Sequence, residues 1–534
     1  MISKNDSIFQ LAYKEYTSFD NIDDSRIKSD FKQEIAIQNE YLGREIYELI
    51  QNADDQEAER LIIELDIQSR QLSVKNDGEK PFTVDGFRSI MRAHDSSKTF
   101  EKLIGNKGLG FRSVLNWAES IIIHSFGVTC EFSQEIADYY WNKIKTAKKF
   151  PEQDVLKYER LAKKENRSCP IPILSIPKVS EYSSEEGKVS FAAEIYIKYK
   201  ENEEIVNSIK TQLESLLTGN VILFLPHLKQ IDVIIDGAAK TITKKHITTK
   251  NDWVSVISIN DEEWLVGNRE GFFQSNDIDS QYQISIAYKK GGINKESNYV
   301  YCFFPTKEKN PFNCVIHGTF MLDQSRNHIL DDINNERNRV LKGFVADTML
   351  DMAVFVSEYF DECNWEPLSI VYAKTHELYM ITNAIYKKIG DYRIFPTING
   401  KYISGKNAGF ISNRFSDIFL RLRAEGLTFS EFDNMLIPLD KEIVLPLKTK
   451  YPESIVFSTE ISNLSERLDS ISANLPDLQY RVEIIKAIKE LVDKGKLTFL
   501  ESKPHLLIDT HGNVIKGKGY FYSNEKKAKN TFLY

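Results

Sequence analysis

Between residues 31 and 59 the chain holds no proline and a single glycine, and Ile35, Ile37, Leu42, Ile46, Leu49, Ile50 and Ala53 fall into one broad apolar stripe. That spacing predicts an amphipathic helix. Arg44, Glu48, Asn52 and Asp55 recur along it at intervals of four and three, so they share a polar face. Leu72-Ser73-Val74 alternates as a strand does and runs into Asn76-Asp77-Gly78, a turn by composition. Residues 120–124 read as a strand, 134–164 as charged and mostly helical, and 168–184 as a loop rich in Pro and Ser. Two apolar runs, 189–198 and 221–235, bracket a helix near 203–217 and would complete the sheet of a first domain. Beyond 247 the pattern changes to short strands at 253–259, 282–288 and 299–304. A loop, 305–312, then leads to an apolar stretch at 321–330 with a long helix after it.

The remaining third is less regular. Residues 336–390 are mostly helical, with Met349, Met352, Ala353, Val356 and Phe360 at helix spacing. Segments 395–406 and 507–518 both read strand, Asn-Gly or His-Gly turn, strand, and each leads to an aromatic strand, around Phe410 and Phe521. These patterns predict an α+β chain in three parts. The first is 1–245, with an insertion at about 131–187; the second is 246–345. The last, 346–534, is a mixed helical region with hairpin modules near 392–412 and 504–523.

Composition narrows the class. The 534 residues suffice for roughly three or four domains with sizeable cores. No apolar run is long enough to span a bilayer, and the first residues do not read as a signal peptide, so a membrane role is not expected. Five cysteines, at 130, 169, 302, 314 and 363, show no CxxC spacing and read as reduced thiols of a cytoplasmic protein. A net charge of −8 argues against a general nucleic-acid coat while leaving a local basic groove open. The nine histidines show no metal-ligand pattern, and the lysine-rich stretch from Lys486 reads as a solvated face.

The chemistry is concentrated between Arg44 and Phe111. Glu48-Leu49-Ile50-Gln51-Asn52-Ala53-Asp54-Asp55 sets a carboxylate one helical turn before a carboxamide. Such a pair suits nucleotide hydrolysis, with Asn52 offering a neutral oxygen to Mg²⁺ and Glu48 orienting or deprotonating water. At Asn76-Asp77-Gly78 a carboxylate beside a glycine can accept from an adenine amino group, with Gly78 allowing close approach. Ser96-Ser97-Lys98 opens the next loop with two hydroxyls and a cation. Ile104-Gly105-Asn106-Lys107-Gly108-Leu109-Gly110-Phe111 has the form GxxGxG, freeing backbone N–H groups to cradle phosphate ahead of a helix-like segment. It is neither a dinucleotide-binding GxGxxG nor a GxxxxGK[ST] P-loop.

The set, in this order, resembles the GHKL superfamily, which includes gyrase B, the ninety-kilodalton heat-shock chaperones, histidine kinases and MutL. It is most similar to the sacsin-like and heat-shock-chaperone branch. The resemblance implies a Bergerat-fold ATPase, an α/β sandwich, followed by an α/β transducer-like domain. It implies ATP and Mg²⁺ as ligands, Glu48 as general base, and Asn52 as the Mg²⁺ ligand. Asp55, Ser96, Ser97, Lys98 and the run Gly105, Lys107, Gly108, Leu109, Gly110 and Phe111 would complete the nucleotide pocket and its lid hinge. The family reads Asp-x-Gly at the adenine turn, whereas Asn76 stands here two before Gly78 with Asp77 adjacent; both remain candidates. In this branch a Ser-Arg turn of the second domain reaches the ATP site, and Ser325-Arg326 matches it in context, with Lys307 and Lys309 next in order. An always-charged, planar guanidinium suits the γ-phosphate of a transition state.

The expected activity is therefore a slowly hydrolysing, Mg-dependent ATPase that works as a chaperone-like switch on a protein partner, as an ATP-dependent homodimer. The alternative is a DNA-associated clamp of the gyrase B or MutL kind in bacterial genome defence, antiviral defence or repair. No phosphoacceptor helix with a His-Glu pair precedes the motifs, which argues against a histidine kinase.

Overall fold

The computed structural model describes residues 25–91 except 41 and 83, and 110–182 except 126 and 149. It further describes 191–360 except 219, 276–277, 295–297, 324 and 332–334, then 368, 378–439, 449, 461–495 and 504–515 except 510. The chain divides into two compact units, Met1–Val345 and Ala346–Tyr534.

In the first unit, alternating burial along the strands builds one mixed sheet. β1 (Arg60–Asp66) and β2 (Gln71–Asn76) form a hairpin, followed along the chain by β3 (Ala118–Ser125), β4 (Val128–Ser133), β5 (Lys178–Glu181), β6 (Ala193–Tyr199) and β7 (Gln230–Ile235). β8 (Ala238–Lys250), β9 (Val254–Ile259), β10 (Glu262–Ser275), β11 (Ile278–Tyr288), β12 (Tyr299–Cys302), β13 (Phe304–Lys309) and β14 (Val315–Gly318) continue it. The spatial order is β13-β12-β14-β11-β10-β9-β8-β7-β1-β2-β6-β3-β4-β5, with β1 parallel to β7 and β12 parallel to β14.

β8 joins the two halves. Asp236 and Gly237 both have positive φ, 48° and 83°, the geometry of a two-residue hairpin turn, and send the chain back along β7. β8 then outruns its six-residue partner. Its first half pairs with β7 and its second half with β9, with a register shift between His246 and Thr248. The expected boundary at 245 lies inside this strand.

Several sequence expectations differ in detail, and the segment 168–184 expected as a loop contains β5, paired with β4. The helix expected over 31–59 is two helices, α1 (Ser25–Glu40) and α2 (Glu45–Asp55), separated at Gly43, whose φ of +83° is open to glycine and costly for other residues. The apolar run at 221–225 is a 3₁₀ turn, Asn220–Phe224, rather than strand; a continuous apolar run has no period to tell the two apart. Its carbonyls are used: Lys244 Nζ donates to Ile222 O at 3.1 Å and to Leu225 O, and burial holds this ammonium down to about 8. Nearby, Asp54 Oδ1 accepts from His227 N at 3.0 Å and Leu228 N at 2.9 Å, tying the end of α2 to the same turn.

The segment expected to be a loop at 305–312 begins as β13, because Pro305 sits near the strand start, where its missing N–H is tolerated. Around Phe410 there is a single bridge, Gly409 to Met435, rather than a strand, and Phe521 lies outside the described residues.

Within the expected insertion, α4 (Gln134–Lys148) and α5 (Glu152–Lys164) follow a short α3 (Val84–Met91) in the chain and lie between β4 and β5. The chain after them is anchored on α1: the buried Glu34 carboxylate accepts from Ile173 N at 2.9 Å and Leu174 N at 3.2 Å. α6 (Glu203–Leu216), capped by Asn202 Oδ1 accepting from Glu204 N at 2.8 Å, packs on α2. Gln212 donates to Glu45 Oε2 at 2.7 Å and accepts from Ile46 N at 3.1 Å. One apolar cluster, from Ile27 and Ile46 through Ile63, Val74, Ile121 and Ile197 to Ile257 and Val315, runs under both halves of the sheet.

α7 (Glu336–Phe360) contains the boundary between the units; Met349, Met352, Ala353 and Val356 on it are buried. In the second unit, α8 (Tyr379–Lys388) precedes the hairpin β15 (Arg393–Pro396) and β16 (Tyr402–Ser404), turned at Gly400 with φ +79°. Among the described residues of the second module a bridge joins Ile508 to Val514 around Gly512 at φ +84°. α9 (Asn413–Ala424), α10 (Ile461–Ser472) and α11 (Leu478–Asp493) share a core of Phe415, Phe419, Phe432, Leu468, Ile484 and Ile488. Among the described residues, no helix is long and apolar enough to cross a membrane.

Candidate active site

α2 carries the first motif, and its polar face is not solvated. Glu48 is 6% exposed, Gln51 and Arg44 4% each, while Asn52 and Asp55 are half-buried. The Asn52 carboxamide, one turn beyond Glu48, makes no hydrogen bond among the described residues.

A cation from far along the chain meets this face. Arg326 Nη1 lies 3.5 Å from Glu48 Oε1 and 3.5 Å from Gln51 Oε1. The turn that delivers it is over-determined. Arg326 has φ +56°, a left-handed backbone that costs a non-glycine residue about 1–3 kcal/mol. Opposing that cost, Arg326 N donates to Asp323 O at 3.0 Å, and Asp323 Oδ1 accepts from Asn327 N at 2.9 Å and His328 N at 3.2 Å. Ser325 Oγ donates to Asp323 Oδ2 at 2.7 Å. Burial opposes ionisation of Asp323, but the hydrogen bonds from Ser325, His328 and Asn327 outweigh it and hold this carboxyl below its usual range. A bridge from Leu322 to Ile329 closes the loop, and Lys307 N donates to Asn327 O at 2.7 Å, fixing it to β13. Lys309, one of the two lysines considered for the same task, lies over the Tyr299 ring at 4.1 Å.

Gly110 opens the 3₁₀ turn Gly110–Asn116 and touches the same carboxylate from the other side. A Cβ built at Gly110 would fall on Oε2 and Cδ of Glu48. Its φ is not positive, so what calls for glycine here is close approach rather than a left-handed backbone. Phe111, next along, is buried in the core.

The turn after β2 is knitted to the far end of α2. Buried Asn76 donates through Nδ2 to Gln56 Oε1 at 2.9 Å, and its Oδ1 accepts from Gly78 N at 3.1 Å. Asp77 Oδ1 accepts from Glu59 N at 3.0 Å and Arg60 N at 2.8 Å, so its carboxylate caps the start of β1. A Cβ at Gly78 would meet Gln56 O at 2.5 Å. Both residues considered for the adenine are therefore engaged within the chain, Asn76 toward α2 and Asp77 toward β1.

Of the residues singled out from the sequence, Glu48 gathers Gly110 and Arg326 around it, and Asn52 and Asp55 follow on the same helix. Ser96, Ser97, Lys98, Gly105, Lys107, Gly108 and Leu109 lie outside the described residues. Gln51 and Gln56 were not foreseen. Gln51 stands three residues after Glu48, a spacing that marks a shared face; Gln56 has no such signal.

The chain is similar to several solved structures, at low identity and low TM-score. With the B subunit of DNA gyrase from Myxococcus xanthus it has 8% identity and a TM-score of 0.23, over 47% of this chain and 62% of that one. With the ATPase region of Saccharomyces cerevisiae topoisomerase II the values are 14%, 0.28, 54% and 77%. With the 43K ATPase domain of Thermus thermophilus gyrase B, in complex with an aminocoumarin, they are 9%, 0.24, 50% and 62%. The chain thus spans 62% of the length of each of these gyrase B chains. At these TM-scores the backbones coincide only in part. No protein-family model matches the sequence, and no curated protein does.

Proposed function

We propose that this chain binds ATP with Mg²⁺ and hydrolyses it slowly, as an ATPase of the GHKL kind, and that the nucleotide state switches its conformation. The observation that carries the reading is the meeting at one buried carboxylate, Glu48, of three motifs far apart in sequence: the α2 helix, Gly110 and Arg326. Chance polar residues on a solvated helix would not bury together around one carboxylate whose partner costs a left-handed backbone to deliver.

In this reading Glu48 takes or orients the proton of the attacking water, and Arg326 turns from Glu48 to the γ-phosphate as charge develops there. Asn52 would hold Mg²⁺: a single carboxamide oxygen beside substrate phosphates suits an ion that keeps most of its waters and prefers oxygen. The ion would balance phosphate charge. By the motif resemblance, Asp55, Ser96, Ser97, Lys98 and the run from Gly105 to Phe111 would line the nucleotide, and Asn76 or Asp77 would leave its present partners to meet the base. The motif resemblance supports an ATP-dependent homodimer acting on a protein client.

The experiment is turnover by Arg326→Ala. Loss of one preorganised charge contact to a developing anion costs about 2–4 kcal/mol in the barrier, roughly 30- to 1,000-fold in rate. Arg326→Lys should recover part of it, since an ammonium lacks the planar fork. An unchanged melting profile separates this from an unfolded loop, and wild-type turnover by Arg326→Ala would remove the residue from the mechanism. Turnover that rises with added duplex DNA would point to the clamp rather than the protein-directed switch.

A further inference from the structure

Arg44 stands at the boundary of α2, one turn before Glu48, and is almost wholly buried. A guanidinium is costly to remove from water, so its acceptors report what it is for. Burial lowers its pKa, the Glu48 carboxylate opposes that, and the Arg326 charge adds to it. Among the described residues its hydrogen-bond acceptors are two main-chain carbonyls of the distant half of the unit. Nη1 donates to Arg326 O at 3.0 Å and to Pro305 O at 3.2 Å. The guanidinium carbon lies 5.9 Å from the Tyr47 ring, which packs in turn on Phe304 at 5.3 Å between centroids.

One helix therefore grips both ends of the same residue. Glu48 and Gln51 meet the Arg326 side chain, while Arg44 holds the carbonyl of the same residue, whose φ is left-handed. We infer that Arg44 is a positioning residue for Arg326, locking the arginine turn and β13 to the helix that carries Glu48, so that both groups address the nucleotide in register. This rests on the proposed ATPase reading. Its hydrogen bonds run to the Arg326 and Pro305 carbonyls, so in this inference it acts through Arg326. Misplacing a reacting group by about an ångström is enough to cost roughly 100-fold in rate.

A double-mutant cycle on the full chain tests it. Arg44→Met keeps the apolar stem and removes the donors. It should lower kcat roughly 10- to 100-fold while KM for ATP stays within about threefold. Arg44→Lys, which keeps a donor on a shorter reach, should fall between Arg44→Met and wild type. In an Arg326→Ala background, Arg44→Met should cost no more than about twofold further, because what it positions is already gone. If Arg44→Met does not fold, the same cycle with Arg44→Lys decides: a loss that disappears in the Arg326→Ala background supports the inference. An undiminished loss in that background, a parallel rise in KM, or wild-type kcat in the single variant overturns it. The Arg326→Ala enzyme alone reads the underlying ATPase proposal, so a failure there is distinguishable from a failure of the coupling.

Discussion

Glu48→Ala is expected to retain ATP and to lose turnover by roughly 10²–10⁴-fold, the usual worth of a positioned general base. In the proposed mechanism Glu48 acts on water rather than on the nucleotide, and contacts from within the chain hold it: Arg326 at Oε1 and the Gly110 backbone against Oε2. Alanine leaves the half-buried Arg326 guanidinium without its carboxylate, which disfavours that charge. Glu48→Gln keeps the volume and an acceptor, and it should be as slow as alanine if proton abstraction is the role. Calorimetry with Mg·ATP beside steady-state turnover separates the outcomes. Equal loss of affinity and rate would mean that Glu48 binds nucleotide rather than activating water.

The second large effect is expected at Gly110. A methyl there would occupy the place of the Glu48 carboxylate, so Gly110→Ala must push Oε2 and Cδ aside or shift the 3₁₀ turn. The obstructed atoms are the far end of a side chain, so the fold should tolerate the change. The base should not, because its location is what the methyl takes. Turnover should fall roughly 100-fold, toward that of Glu48→Ala, with the melting temperature within a few degrees of wild type. Wild-type turnover would show that the carboxylate works from another position.

Part of the candidate site's arrangement was legible in the sequence because it rests on local spacing. Glu48, Asn52 and Asp55 follow from helix periodicity, and Asn76-Asp77-Gly78 from a strand that ends in turn residues. Gly110 was legible for a different reason than the one the structure supplies: phosphate approach was expected, and it is the Glu48 side chain that leaves no room for a Cβ. Arg326 came from context, but the left-handed backbone that aims it did not, since nothing in Ser325-Arg326 announces φ +56°.

What escaped is mostly non-local. Arg44 reads as one member of a polar face, and only the approach of carbonyls 261 and 282 residues away explains why it is buried. The fusion of the strands into one sheet depends on β8 being long enough for two partners, a length that its polar residues, from Lys240 to Lys250, do not advertise. The run at 221–225 misled because full burial removes the alternation that identifies a strand.

Direct titration tests most simply whether the separated motifs form one Mg·ATP site. Calorimetry of the full chain with a non-hydrolysable ATP analogue and Mg²⁺ should give saturable binding with one site per chain, and Asn52→Ala should weaken it at least tenfold, about 1.4 kcal/mol. Absence of saturable binding by the wild-type chain at millimolar nucleotide, or unchanged affinity in Asn52→Ala, would contradict such a site.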